Sequence, residues 1–117
     1  MNCEDCESNE FIMKRKIKKF PTVLILHLKR FIYDSDSFVK IERQISMEMI
    51  VELFGHRFEL KSVVSHLGSS IDSGHYICDI FHDSMHYRVD DDKISTIAET
   101  DDLPTKNSYI LFLHSIQ

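Results

Sequence analysis

The alternation in the second half of this 117-residue chain limits its fold most. From Arg57 to Ser65, Phe58, Leu60, Ser62 and Val64 face one way, and Glu59, Lys61, Val63 and Ser65 the other. A period of two marks a half-buried strand, because successive side chains point to opposite faces. A loop from His66 to Gly74 follows, holding two of the three glycines. His75 to Phe81 then reads as a second strand, with Ile77 and Phe81 on the face of His75 and Tyr76, Cys78 and Ile80 opposite. Phe81 to Ser84 supplies a turn, and Met85, Tyr87 and Val89 form one face of a third strand that ends on Asp90-Asp91-Asp92. If the second and third strands pair as a hairpin, an aspartate returns to the neighbourhood of His75. Ser108 to His114 is a final apolar strand.

The remaining segments are read the same way. Phe11 to Phe20 alternates imperfectly and suits an exposed strand with a charged face, interrupted by Pro21. Val23 to Ile32 is the most apolar run, too short and uncapped to favour a helix. It is expected to be a central strand, buried on both faces over its first half. His27 within it reads more readily as a hydrogen-bonded core histidine than as a ligand. Tyr33 to Ser37 is turn chemistry, and Gly55 marks another turn. Between Phe38 and Leu53 two readings stay open, a strand through Ile45, Met47, Met49 and Val51 or a helical turn over Met47 to Leu53. Lys93 to Asn107 is polar and irregular, with Pro104 blocking a long helix. The fold class expected is α+β, predominantly antiparallel β, built of hairpins with little helix.

A chain of this length is one domain or part of one. A net charge of −5 argues against a general nucleic-acid or membrane-surface role. The early basic cluster (Lys14, Arg15, Lys16, Lys18, Lys19, then Lys29 and Arg30) reads as a solvated strand face. No apolar run approaches the roughly 20 residues of a membrane span, and no signal peptide opens the chain. Three cysteines with one close pair suggest an intracellular, reduced protein of cytoplasm or nucleus. Cys3-Glu4-Asp5-Cys6 has the spacing of half a tetrahedral zinc site, and equally admits a redox pair, a disulfide or two unrelated thiols.

A histidine held by a carboxylate can take a proton from a nucleophile and return it to a leaving amine. The carboxylate fixes the tautomer and stabilises the imidazolium. Taken alone, Asp90-Asp91-Asp92 would be a solvated turn; paired with Gly74-His75-Tyr76 at this spacing it reads as the histidine's orienting partner. The nucleophile is the missing element. Cys78 lies three residues after His75, so on a strand its side chain points to the opposite face. Ser69, Ser70 and Ser73 are nearer, but serines in such a loop are commonly turn formers.

These residues together resemble the C-terminal half of the catalytic domain of the ubiquitin-specific proteases, along nearly the whole chain. Cys3-x-x-Cys6 resembles the second cysteine pair of that family's zinc-binding fingers, and Pro21-Thr22-Val23-Leu24 through Leu28-Lys29-Arg30-Phe31 its P-x-V-L-x-x-x-L-K-R-F strand. His66 to Tyr76 resembles the loop leading into the catalytic histidine, Asp90-Asp91 the acidic pair that orients it, and Ser108 to Phe112 the terminal strand. The resemblance implies the palm and fingers portion of a papain-like cysteine peptidase, with the N-terminal helical half absent and residues 1–117 a partial catalytic domain. It implies a thiol-dependent protease cleaving after the C-terminal glycine of ubiquitin, with His75 as general base and acid, Asp90 orienting it and Asp91 as auxiliary. Gly74 and Tyr76 would line the channel for ubiquitin's tail, and the loop Leu67 to Ser73, including Gly68 and Ser73, would gate it. No cofactor is needed for the chemistry, and Cys3 and Cys6 would hold half of a structural zinc site. The partners implied are ubiquitin or ubiquitinated proteins and the missing N-terminal half, with no nucleic acid and no membrane.

Two departures from the family's pattern stand out. The segment bearing the nucleophilic cysteine is not in the sequence, and His86 and Val89 stand where aromatics commonly precede the aspartate. The isolated chain is therefore expected to be inactive. The alternatives are a catalytically inactive ubiquitin-binding fragment or pseudoenzyme, and an unrelated β-domain in which the histidine and aspartates are structural.

Overall fold

A computed structural model describes residues 11–98 and 103–116 of the chain. The described residues form nine strands and no helix: β1 (Val23–His27), β2 (Phe31–Asp34), β3 (Ser37–Lys40), β4 (Ile50–Leu53), β5 (His56–Leu67), β6 (His75–His82), β7 (Met85–Asp90), β8 (Lys93–Ile97) and β9 (Ser108–Ile116). All pairings are antiparallel. The main sheet runs β1-β9-β5-β6-β7-β8, with β4 also on β5, and β2-β3 forms a separate ribbon. The expected antiparallel β class is what is observed.

β5 holds the sheet together. One edge pairs with β9 from Arg57 to Ser65. The other pairs first with β4, up to Glu59, and then with β6 from Ser62 to Leu67. Against β9 the register shifts between Leu60 and Ser62 and again between Val64 and Ser65. The first shift inserts Lys61 on β5 as a bulge, which reverses the phase of the strand. Phe58 and Leu60 are fully buried before it, and Val63 and Ser65 after it. The single alternation expected from Arg57 to Ser65 is thus corrected: Ser62 and Val64 leave the core face and Val63 joins it. The second shift, at Tyr109 of β9, keeps β9 in step, so Leu113, Leu111 and Ser108 face the core.

The core consists of Phe58, Leu60, Val63, Phe81, Leu111 and Leu113, with Phe20, Leu24, Leu26, Met47, Met49 and Leu103 packed over it. Three expectations for the N-terminal part fail. Residues 11–20 carry no regular structure: none of the described strands pairs with them, and Phe11, Ile12, Met13 and Ile17 stay exposed. Val23–Ile32 is not one central strand. β1 ends at His27 and lies at the sheet's edge, with Leu24 and Leu26 half-buried and Val23 and Ile25 exposed on the other face. Its apolar outer residues belong to a wider uncovered face. Ile25, Phe112, Ser62, Ile80, Tyr87 and Thr96 pair in one row across it. His27, expected in the core, is exposed and meets Tyr109 edge-on, ring centroids 4.7 Å apart.

Arg30 fastens the ends of these elements. It is 3% exposed, and its guanidinium donates to the carbonyls of Ser108, Ile41, Arg43 and Thr105 and to the Ser108 hydroxyl. Five acceptors match the five donors of a planar guanidinium, a geometry lysine cannot reproduce. Residues 41–49, left open between strand and helix, form an irregular crossing held in part by these bonds, before the short β4.

Hairpins close through two-residue turns at Ser35-Asp36, Phe54-Gly55 and Asp83-Ser84, every residue at positive φ. That conformation matches the right-handed twist of the flanking strands. The structure also adds β8, in a stretch expected to be irregular: Asp91-Asp92, with Asp91 alone at positive φ, turns β7 back onto Lys93–Ile97, whose short polar alternation is a weak signal.

A buried ionic cluster lies on the core face of the β6–β7 ladder. Asp79 is fully buried, and its Oδ1 accepts from His86 Nε2 at 2.5 Å and from Arg88 Nε and Nη2 at 3.1 and 2.9 Å. His86 thus fills the place of an aromatic by pairing with a carboxylate.

Two stability measurements follow from these contacts. Phe54 sits at φ 52 with its side chain 79% exposed, so Phe54→Asn should raise stability by about 1 kcal/mol in urea unfolding, because asparagine tolerates the left-handed conformation. Asp79→Ala strands His86 and Arg88 without their shared carboxylate and should cost about 3–5 kcal/mol in the same assay.

Candidate functional site

The hairpin β6–β7 positions the site. Its last registered pair is Cys78 with Val89. One rung further Asp90 lies opposite Ile77, and His75 is the next residue on the same face of β6. Diagonal neighbours of this kind are within reach of an imidazole and a carboxylate. His75 Nε2 and Asp90 Oδ1 are 2.5 Å apart, with side chains 45% and 50% exposed. With Nε2–H donating to the carboxylate, Nδ1 is the nitrogen left to exchange a proton with a reacting group.

The hydrogen bond to Asp90, then the charge of Asp90, hold the His75 pKa above the ordinary histidine value, with a further contribution from Asp91. Asp91 follows in the turn at φ 53. His75, Asp90 and Asp91 each bring one ligand atom within 4.8 Å of the others, so the same trio could chelate a divalent cation at the cost of the His75–Asp90 hydrogen bond.

The loop before His75 is closed at its neck. Gly68 and Gly74 sit at φ +124 and +135, and a Cβ on Gly68 would approach Gly74 Cα to 3.0 Å. A Cβ on Gly74 would fall 2.5 Å from the Leu67 carbonyl oxygen and 2.6 Å from His66 Nε2. Glycine is therefore required at 74 by the chain's own backbone and by the His66 ring beneath it. His66 is 2% exposed, donates from Nε2 to the Ser73 carbonyl at 3.2 Å, and packs edge-on against Phe31 and Tyr76.

The structure thus brings His75, Asp90 and Asp91 together and gathers Gly68, Ser73 and Gly74 at the loop neck. Tyr76 stands apart, on the opposite face of β6 from His75 and 52% exposed. Cys78 is on that opposite face too. Burial, followed by the charge of Asp79, pushes its thiol up, away from the thiolate that a nucleophile requires. Cys3 and Cys6 lie outside the described residues.

Three contributing side chains were not singled out in the sequence. His66 sat unremarked at the head of the loop. Asp79 and Lys40 are charged residues in strands, where a lone charge ordinarily signals exposure.

Because the folded chain binds the His75 proton more tightly than an unfolded one, the pair's contribution to stability is complete below the ordinary histidine pKa. It is lost as pH rises through the raised value. Asp90→Asn should lower the His75 midpoint, followed by NMR titration of its ring protons; an unchanged midpoint would show that Asp90 does not govern the imidazole.

Comparison with known proteins places this geometry. The profile of the ubiquitin carboxyl-terminal hydrolase family matches residues 1–113. Ubiquitin carboxyl-terminal hydrolase 10 of Saccharomyces cerevisiae is 33% identical over 93% of this chain and 15% of its own length. Ubiquitin carboxyl-terminal hydrolase 12 of Salmo salar is 31% identical over 97% of this chain and 37% of its own. Among solved structures, a chain of the SAGA DUB module Ubp8/Sgf11/Sus1/Sgf73 bound to monoubiquitin superposes with a TM-score of 0.87 and 26% identity, over all of this chain and 28% of that one. The same module bound to ubiquitin aldehyde gives 0.84 and 26% identity, over all of this chain and 30% of that one. This chain therefore spans well under half the length of these relatives and, with its antiparallel sheet and its strand-borne His75–Asp90 pair, belongs to the ubiquitin carboxyl-terminal hydrolase family, in its ubiquitin-specific protease branch.

Proposed function

We propose that this chain supplies the histidine and orienting aspartate of a thiol-dependent deubiquitinase site that cleaves after the C-terminal glycine of ubiquitin. The observation that carries this reading is the His75 Nε2–Asp90 Oδ1 contact of 2.5 Å, formed across a hairpin in a chain of this family. In the reaction, His75 accepts the thiol proton at Nδ1 and returns it to the leaving amine, while Asp90 holds the ring and stabilises the imidazolium. Asp91 adds negative potential beside the pair. Gly68, Ser73 and Gly74 shape the loop over the approach of ubiquitin's tail, and Tyr76 contacts the substrate from the far side of β6. The solved relatives bound to monoubiquitin and to ubiquitin aldehyde support ubiquitin as the partner.

The nucleophile must come from elsewhere. Among the described residues Cys78 is the free cysteine, and it faces away from His75. The uncovered sheet face, with Ile25, Ile80 and Ile94 at 57%, 37% and 72% exposure, supports packing against further catalytic-domain structure. A structural zinc held in part by Cys3 and Cys6, and a reducing intracellular setting, belong to the same proposal. The second reading, a ubiquitin-binding module without activity, is favoured by the position of Cys78 alone.

The test is hydrolysis of a fluorogenic ubiquitin C-terminal substrate, by the chain alone and after mixing with the nucleophile-bearing segment of a family member. The chain alone should give a flat trace. The mixture should turn over, and His75→Ala in this chain should cut its rate by about 10²–10⁴-fold. Ubiquitin binding without turnover in the mixture would instead identify the inactive module.

A further inference from the structure

Lys40 lies at the end of the β2–β3 ribbon, yet its side chain is 2% exposed. Its ammonium donates to the carbonyls of His66 at 2.7 Å and Gly68 at 2.6 Å, and to Asn107 Oδ1 at 3.2 Å. The nearest carboxylate, Glu42, is 4.0 Å away. Burial lowers the Lys40 pKa from its ordinary value. A charge held in this way needs a purpose, since a neutral side chain could fill the space without desolvating an ion.

The strand register shows what the ammonium replaces. β9 pairs with β5 only as far as Ser65 with Ser108, and His66 N–H reaches the Asn107 carbonyl just beyond it. In an antiparallel ladder the polar groups of alternate residues point to alternate edges. Leu67 turns towards β6, where it pairs with His75. The carbonyls of His66 and Gly68 turn to the edge that β9 has left empty. Lys40 occupies that edge and grips the two carbonyls on either side of Leu67, the residue paired with His75. His66 meanwhile ties the returning limb of the loop through Ser73.

We propose that Lys40 is a positioning residue for His75: an ammonium standing in for the missing strand, it fixes Leu67 and the neck of loop 68–74 and so sets the strand start from which His75 meets Asp90. The inference rests on the reading of His75 and Asp90 as the reacting pair. Its test uses the whole chain without ubiquitin, so failure of the deubiquitinase reading leaves the outcome interpretable.

The experiment is NMR on the full chain as wild type, Lys40→Met and Lys40→Arg. In Lys40→Met the Leu67 and His75 amides should exchange at least about tenfold faster, the scale of one lost hydrogen bond to a charged group. The His75 titration midpoint should fall as its contact with Asp90 loosens, while Val63 and Leu111, in the β5–β9 core, keep their protection. Lys40→Arg, which retains a cation with several donors, should preserve both His75 readouts. An unchanged His75 midpoint and unchanged exchange in folded Lys40→Met would overturn the proposal. Uniform loss of protection across β5 and β9 would overturn it too, reducing Lys40 to a support of the whole sheet. Should Lys40→Met not fold, Asn107→Ala decides: it removes one of the three acceptors and should move the His75 readouts in the same direction, and no movement would overturn the proposal.

Discussion

The double pairing of β5 is the constraint on which the rest depends. A 12-residue strand with β9 along one edge and β4 then β6 along the other leaves few of its backbone groups unpaired. The bulge at Lys61 lets this strand place Phe58 and Leu60 in the core at one end and Val63 and Ser65 at the other. Its far end carries His66 and Leu67, and through them the start of the strand that bears His75. Core and site are thus joined by one backbone.

The site end of the sheet is finished with cations and rings instead of strands. Arg30 collects the carbonyls where β9 begins, and Lys40 those of His66 and Gly68 where β5 outruns β9. Both are buried, and most of their acceptors are neutral backbone oxygens, so the exchange is hydrogen bonds against desolvation. Phe31, His66, Tyr76 and Tyr109 pack edge to face around the same point. This is a stiff support for a loop whose two limbs nearly touch at Gly68 and Gly74.

Two histidine–carboxylate pairs bridge β6 and β7 in opposite environments. His75–Asp90 is half-exposed at the sheet's end and open to solvent. His86–Asp79 is buried and tied to Arg88, so it holds the hairpin together away from solvent. The same two side-chain types are left accessible in one pair and built into the packing in the other, because only the first reaches solvent.

Much of this was legible in the chain itself. Alternation over His75 to Phe81 and Met85 to Val89, with a tight polar turn between, defines the hairpin, and its geometry returns Asp90 to His75. Local periodicity suffices there because the hairpin's partners are adjacent in sequence. Tertiary structure alone decided the rest. The phase reversal at Lys61, the edge position of Val23–His27, the burial of Asp79 and the closure of β5 by Lys40 depend on partners far away in sequence. A bulge or a buried charge is set by what lies across the sheet, and one strand's own pattern carries no record of that neighbour.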